Sequence, residues 1–400
     1  MSDKFNKIPG GITSAAGFSA GAAWAGINRH SRFNLDVCLM KSDRPCQVGG
    51  VFTRNKFQSA HIIWCRERLA DSQGRGLVVN SGCANAGTGK EGLDDTRLMA
   101  GMAAGRMGLT ASEVMVASTG VIGRRLPLDL LAAGIKNICI SPEGGPDFAR
   151  AIMTTDSVPK EAAVSTGEYT IGGTAKGAGM IHPDMATMLS FIATDASVDG
   201  AYLQQALEQA VDKTFNMISV DGDTSPNDTV LLFANGAAGN NRISPGTPAA
   251  EVFQQALESV CRDLAKAIAA DGEGATRLIE ARVGGARSLA DARLAARTIV
   301  GSSLVKTAVH GCDPNWGRII AAAGRSGAAL REDLLELTIG GTRVFGGGQP
   351  LDFDPGIVSA HLGQKTVILE LNLNLGQYQA VAWGCDLSAE YVAINADYTT

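Results

Sequence analysis

The stretch 174–195, TAKGAGMIHPDMATMLSFIATD, constrains this chain more than any other. Its first half is rich in glycine and alanine, so the backbone there can pass close to a neighbouring segment or a ligand. Its second half, 188–193, is an apolar run that predicts a buried β-strand. Thr187 stands where the loop becomes that strand, a position that holds a side chain rigidly. Two interpretations stay open: Thr187 is a nucleophile, or it is a β-forming residue that simply begins a strand.

The rest of the chain predicts a layered α/β protein. Glycine makes up 49 of the 400 residues, well above the usual share of about 7%, which favours many tight turns over a helical bundle. The spacing of apolar residues then predicts the elements, because a period of 2 residues indicates a strand and a period of 3.6 residues indicates a helix. Strands are predicted at 33–40, 50–53, 60–65, 76–80, 113–118, 335–339, 365–371 and 380–384, and helices at 93–107, 147–153, 201–214, 249–270 and 289–304.

The composition argues against several classes of protein. The formal net charge of −5 disfavours nucleic acid or an anionic membrane as the main partner, and no run approaches the ~20 apolar residues that span a membrane. The eight cysteines form no C-x-x-C pair and the five histidines are dispersed, so we expect reduced thiols and no metal site. The apolar segment 11–27 lacks the leucine-rich core of a signal peptide, so we expect a cytoplasmic enzyme.

The motif K-G-x-G-M-I-x-P-x-M-A-T-M-L at 176–189 resembles the self-cleavage segment of the ornithine acetyltransferase family, also called the glutamate N-acetyltransferase family. The resemblance implies a cut between Ala186 and Thr187, giving an α chain, 1–186, and a β chain, 187–400. Thr187 then becomes an N-terminal nucleophile. Its free α-amine has a reference pKa of ~7.7–8.0 and can act as the general base, so no histidine is required.

Other segments resemble signatures of the same family, namely NSGCANAGTG at 80–89, STGVIG at 118–123 and DGEGAT at 271–276. The resemblance implies that Thr119 and Gly120 form the oxyanion hole, since a threonine hydroxyl and an outward-pointing glycine N–H can both donate to a developing alkoxide. For Glu273, a solvated surface turn remains the alternative on sequence alone. The substrate contacts that the resemblance implies are Thr154, Lys176, Thr187, Glu273, Asn395 and Thr400, with Lys176 on a carboxylate and Glu273 on an ammonium group.

The fold class implied is α/β, with a layered α-β-β-α N-terminal-nucleophile-like main domain and smaller α+β C-terminal domains. We expect the main catalytic domain at 1–200, an α+β middle segment at 201–282 and a C-terminal α+β domain at 283–400. The cut lies inside the first of these. A heterotetramer of two α and two β chains is implied by the resemblance alone.

The activity implied is transfer of the acetyl group from N2-acetylornithine to glutamate through an acetyl-threonine at Thr187. The products are ornithine and N-acetylglutamate, as in arginine biosynthesis, and no cofactor is needed. Whether acetyl-CoA is a second donor stays open. One alternative is a related N-terminal-nucleophile aminopeptidase or amidase, which uses water as the acceptor. The other is an uncleaved, non-catalytic protein that binds small molecules.

Overall fold

The computed structural model describes residues 5–70, 73–182 and 188–397, over which the chain forms sixteen strands and eleven α-helices. The strands are β1 Asn6–Ile8, β2 Phe18–Ala23, β3 Val37–Phe52, β4 Gln73–Cys83, β5 Val114–Val121, β6 Lys160–Ser165, β7 Thr170–Lys176, β8 Leu189–Thr194, β9 Ile218–Ser219, β10 Thr229–Ala234, β11 Leu278–Ala286, β12 Glu336–Ile339, β13 Thr342–Gly346, β14 Gln349–Pro350, β15 Thr366–Asn372 and β16 Tyr378–Cys385. The helices are α1 Ala60–Leu69, α2 Gly89–Met107, α3 Leu128–Asn137, α4 Gly145–Ala151, α5 Gly200–Lys213, α6 Pro248–Ala270, α7 Leu289–Val300, α8 Ser303–His310, α9 Trp316–Gly324, α10 Pro355–Leu362 and α11 Ala389–Asp397.

The first sheet has nine strands in the order β1-β6-β7-β8-β10-β3-β4-β5, with β2 paired to β3. Its central strands β8 and β10 are parallel neighbours that are buried on both faces. Phe191 of β8 belongs to one hydrophobic core and Ile192, the next residue, to the other. A strand buried on both faces has a near-continuous apolar sequence, and this is why 188–193 is recognisable as a strand.

The second sheet has seven strands in the order β14-β13-β12-β15-β11-β16-β9. Strand β11 shows how its two faces differ. Ile279 and Ala281 are fully buried and lie in the core that includes α7, whereas Arg282 is exposed on the other face. Helix α6 crosses that charged face, where Nζ of Lys266 lies 2.9 Å from an oxygen of Glu280. The second sheet therefore packs on helices through one face and carries charge on the other.

Helices cover both faces of the first sheet. Side chains of α1 to α4 share a core with one face, and side chains of α5 and α6 share a core with the other face. Helix α6 also contacts strands of the second sheet, so α6 lies between the two sheets. The predicted layered α/β class is confirmed. The predicted middle segment, 201–282, contributes strands to both sheets, because β9 joins the second and β10 the first.

Two of the predicted strands are one strand in the structure. The segments 33–40 and 50–53 both fall on or beside β3, which runs for 16 residues. Asp43, Arg44 and Pro45, between them, are exposed, and the pairing with β4 shifts register between Lys41 and Cys46. A bulge thus carries the strand through a sequence that is typical of a turn.

The prediction of a strand at 60–65 is wrong, since these residues begin helix α1. His61, Trp64 and Cys65 are buried while Ile63 is exposed, which is a helical spacing. A run of six residues is too short to separate the two periods. The helix shields the edge strand β5, because the Trp64 indole N–H and the Cys65 thiol donate to backbone carbonyls of that strand.

The helix predicted at 289–304 ends earlier, at Val300, and a second helix, α8, starts at Ser303. Gly301 follows the last helical residue of α7, and its N–H still bonds to the carbonyl of Arg297. Gly301 keeps a right-handed conformation, and the backbone becomes extended at Ser302, which separates the two helices. No helix within the described ranges is both long and apolar enough to cross a membrane.

Candidate active site

A cavity of about 290 Å³ is lined by the ends of strands β5 and β7, the loop before β10 and helix α11. Residues that are far apart in the sequence meet there. Six of the predicted site residues line this cavity, namely Thr119, Gly120, Thr154, Lys176, Glu273 and Asn395. The remaining three, Ala186, Thr187 and Thr400, lie outside the described residues, so their predicted roles stay predictions.

The turn at the end of β5 is built for close backbone approach. Gly120 has a φ of 127°, and a Cβ atom there would lie 2.4 Å from the carbonyl carbon of Gly82 on the neighbouring strand. Only glycine fits both conditions. The amide of Asn227 donates 2.7 Å hydrogen bonds to the carbonyls of Ala84 and Ser118, which fixes the loop before β10 against this turn. Thr119 and Gly120 are therefore held in a preorganised position at the cavity wall.

Lys176 is buried beside this turn, with its Nζ atom 3.4 Å from the hydroxyl oxygen of Thr119. Burial lowers the pKa of the Lys176 ammonium, and the nearby carboxylate of Asp156 partly opposes that effect. A lysine held as close as this to a backbone turn is suited to bind a carboxylate or a developing negative charge. The sequence assigned it to the substrate carboxylate, and that assignment remains a prediction.

Asp156 is the buried carboxylate that orders one side of the site. It accepts hydrogen bonds from the N–H groups of Thr154 and Gly177 and from Nζ of Lys160, at 3.0, 2.6 and 2.7 Å. Burial disfavours its charge, but Lys160, Lys176 and the Gly177 N–H outweigh burial and hold its pKa below the usual range. Two predicted substrate contacts, Thr154 and Lys176, are thus positioned through one side chain.

Glu273 lies in the tight turn after α6 and is only 8% exposed. Its N–H donates to the carbonyl of Ala178 at 2.9 Å, and Gly179 leaves the space that its carboxylate occupies, because a Cβ there would lie 2.5 Å from the carboxylate oxygens. The amide of Asn395 on α11 donates to the same carboxylate at 2.8 Å. The solvated-turn interpretation of Glu273 is therefore wrong, since the side chain faces the cavity.

Asp221 is a site residue that the sequence analysis missed. Its carboxylate accepts from the N–H groups of Met180 and Ile181, at 2.5 and 2.8 Å, and it lines the cavity together with Tyr391. Burial raises the pKa of Asp221, and the charge of Glu273 raises it further. The only signal in the sequence was a polar loop at 222–228, and nothing there indicated which carboxylate would face the cavity.

The described residue nearest to the predicted cut is Met188, which is bonded to Thr187 in the chain. Its N–H donates to an oxygen of Asp228 at 3.0 Å, and both residues are fully buried. The second oxygen of the Asp228 carboxylate has no hydrogen-bond partner in the described structure, and burial raises the pKa of this group well above its usual value. The chain on the β8 side of the cut is thus firmly anchored.

A larger groove, of about 920 Å³, lies between α6 and the charged face of the second sheet. None of the six predicted site residues that the structure describes lines it. Its basic side chains Lys266 and Arg282 are already paired with Glu280. Among the described residues, no group of three or more His, Cys, Asp or Glu side chains is arranged to hold a metal ion.

Comparison with known proteins points to one family. The model of the ArgJ family matches residues 19–400. The chain is 54% identical to the arginine biosynthesis bifunctional protein ArgJ of Dehalococcoides mccartyi (strain CBDB1), over 100% of both chains. It is 49% identical to the protein of the same name from Symbiobacterium thermophilum, over 98% of this chain and 99% of that one. The solved ArgJ structure from Bacillus halodurans is similar with a TM-score of 0.52 and 46% identity, over 53% of this chain and 100% of that chain.

Proposed function

We propose, since this chain belongs to the ArgJ family, that it is a glutamate N-acetyltransferase of arginine biosynthesis. It moves the acetyl group of N2-acetylornithine to glutamate in two half-reactions. In the first, the acetyl group passes to the Thr187 hydroxyl and ornithine leaves. In the second, the amino group of glutamate takes the acetyl group and leaves as N-acetylglutamate.

Thr187 becomes competent by self-cleavage. Its hydroxyl attacks the carbonyl of Ala186, and the peptide C–N bond between Ala186 and Thr187 breaks, which frees the α-amine of Thr187. Water then hydrolyses the resulting ester, which releases the Ala186 carboxylate and restores the Thr187 hydroxyl. With a reference pKa of ~7.7–8.0, this amine can take the proton from the adjacent hydroxyl at neutral pH. The solved ArgJ chain from Bacillus halodurans supports this cleavage. The whole of that chain matches 53% of the present chain, which is about the share that residues 187–400 make up.

The observation that carries the proposal is the meeting of six predicted residues around one small cavity. Thr119 and Gly120 supply two donors for the oxyanion that forms when Thr187 attacks the acetyl carbonyl. Lys176 binds the substrate carboxylate. Glu273 binds the ammonium group of the ornithine side chain, oriented by Asn395. Thr154, and Thr400 at the chain end, add hydrogen bonds to the substrate.

The remaining assignments belong to the same proposal. The reaction needs no cofactor, because the nucleophile, the base and the oxyanion donors all come from the chain. The two fragments stay together as α and β chains, and two of each form a heterotetramer in the cytoplasm. The word "bifunctional" in the names of its relatives supports a second activity with acetyl-CoA as donor.

The competing function is an aminopeptidase or amidase that passes the acyl group to water. No observation in the cavity favours water over an amino-acid acceptor. The two functions differ in what happens to the acetyl group, so the acceptor decides between them.

The test supplies N-acetylornithine with isotopically labelled glutamate, and in a parallel reaction with labelled ornithine. The proposal predicts label in N-acetylglutamate in the first and in N-acetylornithine in the second, with little free acetate in either. The Thr187→Ala variant is the control and should give neither product. Release of acetate at the same rate with and without glutamate would instead establish the hydrolase.

A further inference from the structure

A further cavity, of about 460 Å³, lies beside the segment in which the cut is proposed. His182, the last described residue before that segment, forms part of its wall. Arg297 lines it near the end of α7, and Arg325 lines it directly after α9. No acidic side chain is among its described lining residues. We call it the arginine cavity.

The charge of the two arginines is not compensated within the protein. Arg297 is half-buried and Arg325 is exposed, and neither guanidinium forms an ion pair or a hydrogen bond with another residue in the described part of the chain. A cleft that carries uncompensated charge of one sign concentrates ligands of the opposite sign. Guanidinium groups bind carboxylates well, because two parallel N–H donors match the two carboxylate oxygens. The charge therefore indicates an anionic occupant.

The chain is fixed where it enters the wall of the arginine cavity at His182. The N–H of Val220 donates to the carbonyl of Ile181 at 2.7 Å, and the N–H of Ile181 donates to the carboxylate of Asp221 at 2.8 Å. The ring atom Nδ1 of His182 lies 3.1 Å from the hydroxyl oxygen of Ser219. The segment that follows, 183–187, therefore starts from a defined point on the cavity wall.

The arginine cavity and the acetyl-transfer cavity are neighbours of opposite charge. Thr224 lines both of them. The acetyl-transfer cavity carries three acidic side chains, Asp221, Asp223 and Glu273, and Lys176 is the one basic side chain among its described lining residues. A new carboxylate formed in the acetyl-transfer cavity would thus be repelled there and attracted to the neighbouring cavity.

The proposed cut creates such a carboxylate, on Ala186. This residue is four positions after His182, and four extended residues span at most about 13–14 Å. Because His182 itself lines the arginine cavity, the new chain end can reach the two arginines. If the carboxylate stayed beside the α-amine of Thr187, the opposite charge would favour the ammonium form, which cannot act as a base.

We propose that the arginine cavity binds the new carboxylate terminus of the α chain, at Ala186, after self-cleavage. The guanidinium groups of Arg297 and Arg325 pair with this carboxylate. The pairing keeps the carboxylate away from the α-amine of Thr187, and it joins the end of the α chain to α7 and α9 of the β chain. The inference rests on the proposed function for the cut itself, but not for the positive charge of the cavity.

The first test is zero-length crosslinking in the Arg297→Lys and Arg325→Lys variants, which keep the positive charge and supply a primary amine. A carbodiimide couples a carboxylate to an amine in contact with it, forming an amide with loss of water. We expect digestion and mass spectrometry to find the peptide that ends at Ala186 joined to the peptide that contains the substituted position.

Two controls accompany the crosslinking. Adding Thr187→Ala to each variant keeps the chain whole, so there is no Ala186 carboxylate and this crosslink should be absent. Arg262→Lys places the same amine elsewhere, because Arg262 is an exposed arginine on α6 that lines neither of the two cavities. It should give no crosslink to Ala186.

The second test is a thermodynamic cycle between the cut and the two arginines. The Arg297→Gln/Arg325→Gln double variant should lower Tm by about 2 °C in the cleaved protein and by under about 0.5 °C in the uncleaved Thr187→Ala background. Inorganic phosphate should raise the Tm of uncleaved Thr187→Ala more than that of cleaved wild type, because the carboxylate already fills the site in the cleaved protein. Arg262→Gln should have the same effect in both backgrounds.

Intact mass reports in every sample whether the chain is cut, so the outcomes can be separated. A cut wild type whose lysine variants give no crosslink to Ala186 would overturn the inference and leave the proposed function intact. An equal loss of Tm in both backgrounds would show that the arginines only stabilise the fold. Equal stabilisation of both backgrounds by phosphate would assign the cavity to small anions from solution. A wild type that stays whole would overturn the proposed cut and this inference together.

Discussion

The Nζ atom of Lys176 lies 3.4 Å from the hydroxyl oxygen of Thr119, and both side chains are buried at the end of the first sheet. An ammonium group can only donate, so the Thr119 oxygen accepts in this contact. The hydroxyl proton of Thr119 then remains available for another acceptor in the cavity. This contact supports the proposed role of Thr119 as an oxyanion donor.

Replacing Thr119 by valine should remove that donor while the shape of the side chain is kept. We expect kcat for acetyl transfer to fall by about 10²–10³, the usual cost of losing one oxyanion donor, with little change in KM. Thr119→Ser keeps the hydroxyl and should retain most of the activity. Steady-state kinetics on both variants measure the effect, and a raised KM at unchanged kcat would assign Thr119 to ground-state binding instead.

The Glu273→Gln substitution should weaken binding of N-acetylornithine far more than it affects the glutamate half-reaction. The carboxylate is directed into the cavity and is oriented by Asn395, so its loss removes a partner for the ornithine ammonium. We expect KM for N-acetylornithine to rise by about tenfold or more, and the glutamate half-reaction to change far less. Glu390→Gln is the control, because Glu390 is exposed on the same helix as Asn395. Equal effects on both substrates would remove Glu273 from the ammonium site.

Asp221 makes the ornithine side of the reaction sensitive to pH. Burial and Glu273 raise its pKa, so this carboxyl takes up a proton at a higher pH than an ordinary aspartate, whose pKa is about 3.9. As the pH falls and Asp221 takes up its proton, the attraction for an ammonium group weakens. The other titratable groups that line the cavity are Lys176, Asp223, Glu273 and Tyr391.

The expected result is a KM for N-acetylornithine that rises as the pH is lowered through the raised pKa of Asp221. In Asp221→Asn the KM should be higher at neutral pH and its dependence on pH flatter. The glutamate half-reaction in the same variant is the internal control. An unchanged pH profile in Asp221→Asn would show that another group controls ornithine binding.

Asp156→Asn should destabilise the fold. The change leaves the fully buried ammonium of Lys160 with Asp271 as its remaining carboxylate partner. We therefore expect the free energy of unfolding to fall by less than the about 3–5 kcal/mol that a buried charge without any partner costs. Urea denaturation measures this. Asp147→Asn removes an exposed ion pair with Arg150 and should cost under about 1 kcal/mol.

Asp156 also makes the stability of the fold depend on pH in acid. The pKa of Asp156 is lower in the folded protein than the value of about 3.9 expected in the unfolded chain. Its contribution to stability is therefore fully present above about pH 4 and is lost as the pH falls through the folded-state value. Wild type and Asp156→Asn should converge in stability on acidification, and a constant difference down to pH 2 would contradict this assignment.

Much of the site could be predicted because its parts carry distinctive local chemistry. Gly120 is an example, since a positive φ and a close strand leave no alternative to glycine, and the motif around it is correspondingly recognisable. Local patterns of this kind can be recognised in the sequence.

What could not be predicted depends on tertiary contacts. The segment 60–65 contains β-branched and aromatic residues that favour a strand, yet the contacts of Trp64 and Cys65 with β5 stabilise a helix. Asp221 and Tyr391 are 170 positions apart, and no local pattern connects them. The cavity between the loop before β3 and the loop after β5 depends on a similar juxtaposition, since Arg29 and Arg124 come from separate loops.

The most direct test of the account is the intact mass of the purified protein, before and after incubation with N-acetylornithine, beside the Thr187→Ala variant. We predict two fragments that meet between Ala186 and Thr187, and a gain of one acetyl group on the fragment that starts at Thr187. The variant should give one full-length mass and no acetyl adduct. A wild type that stays whole and catalyses transfer under native conditions would contradict the account, because Thr187 would then have no free amine to act as the base.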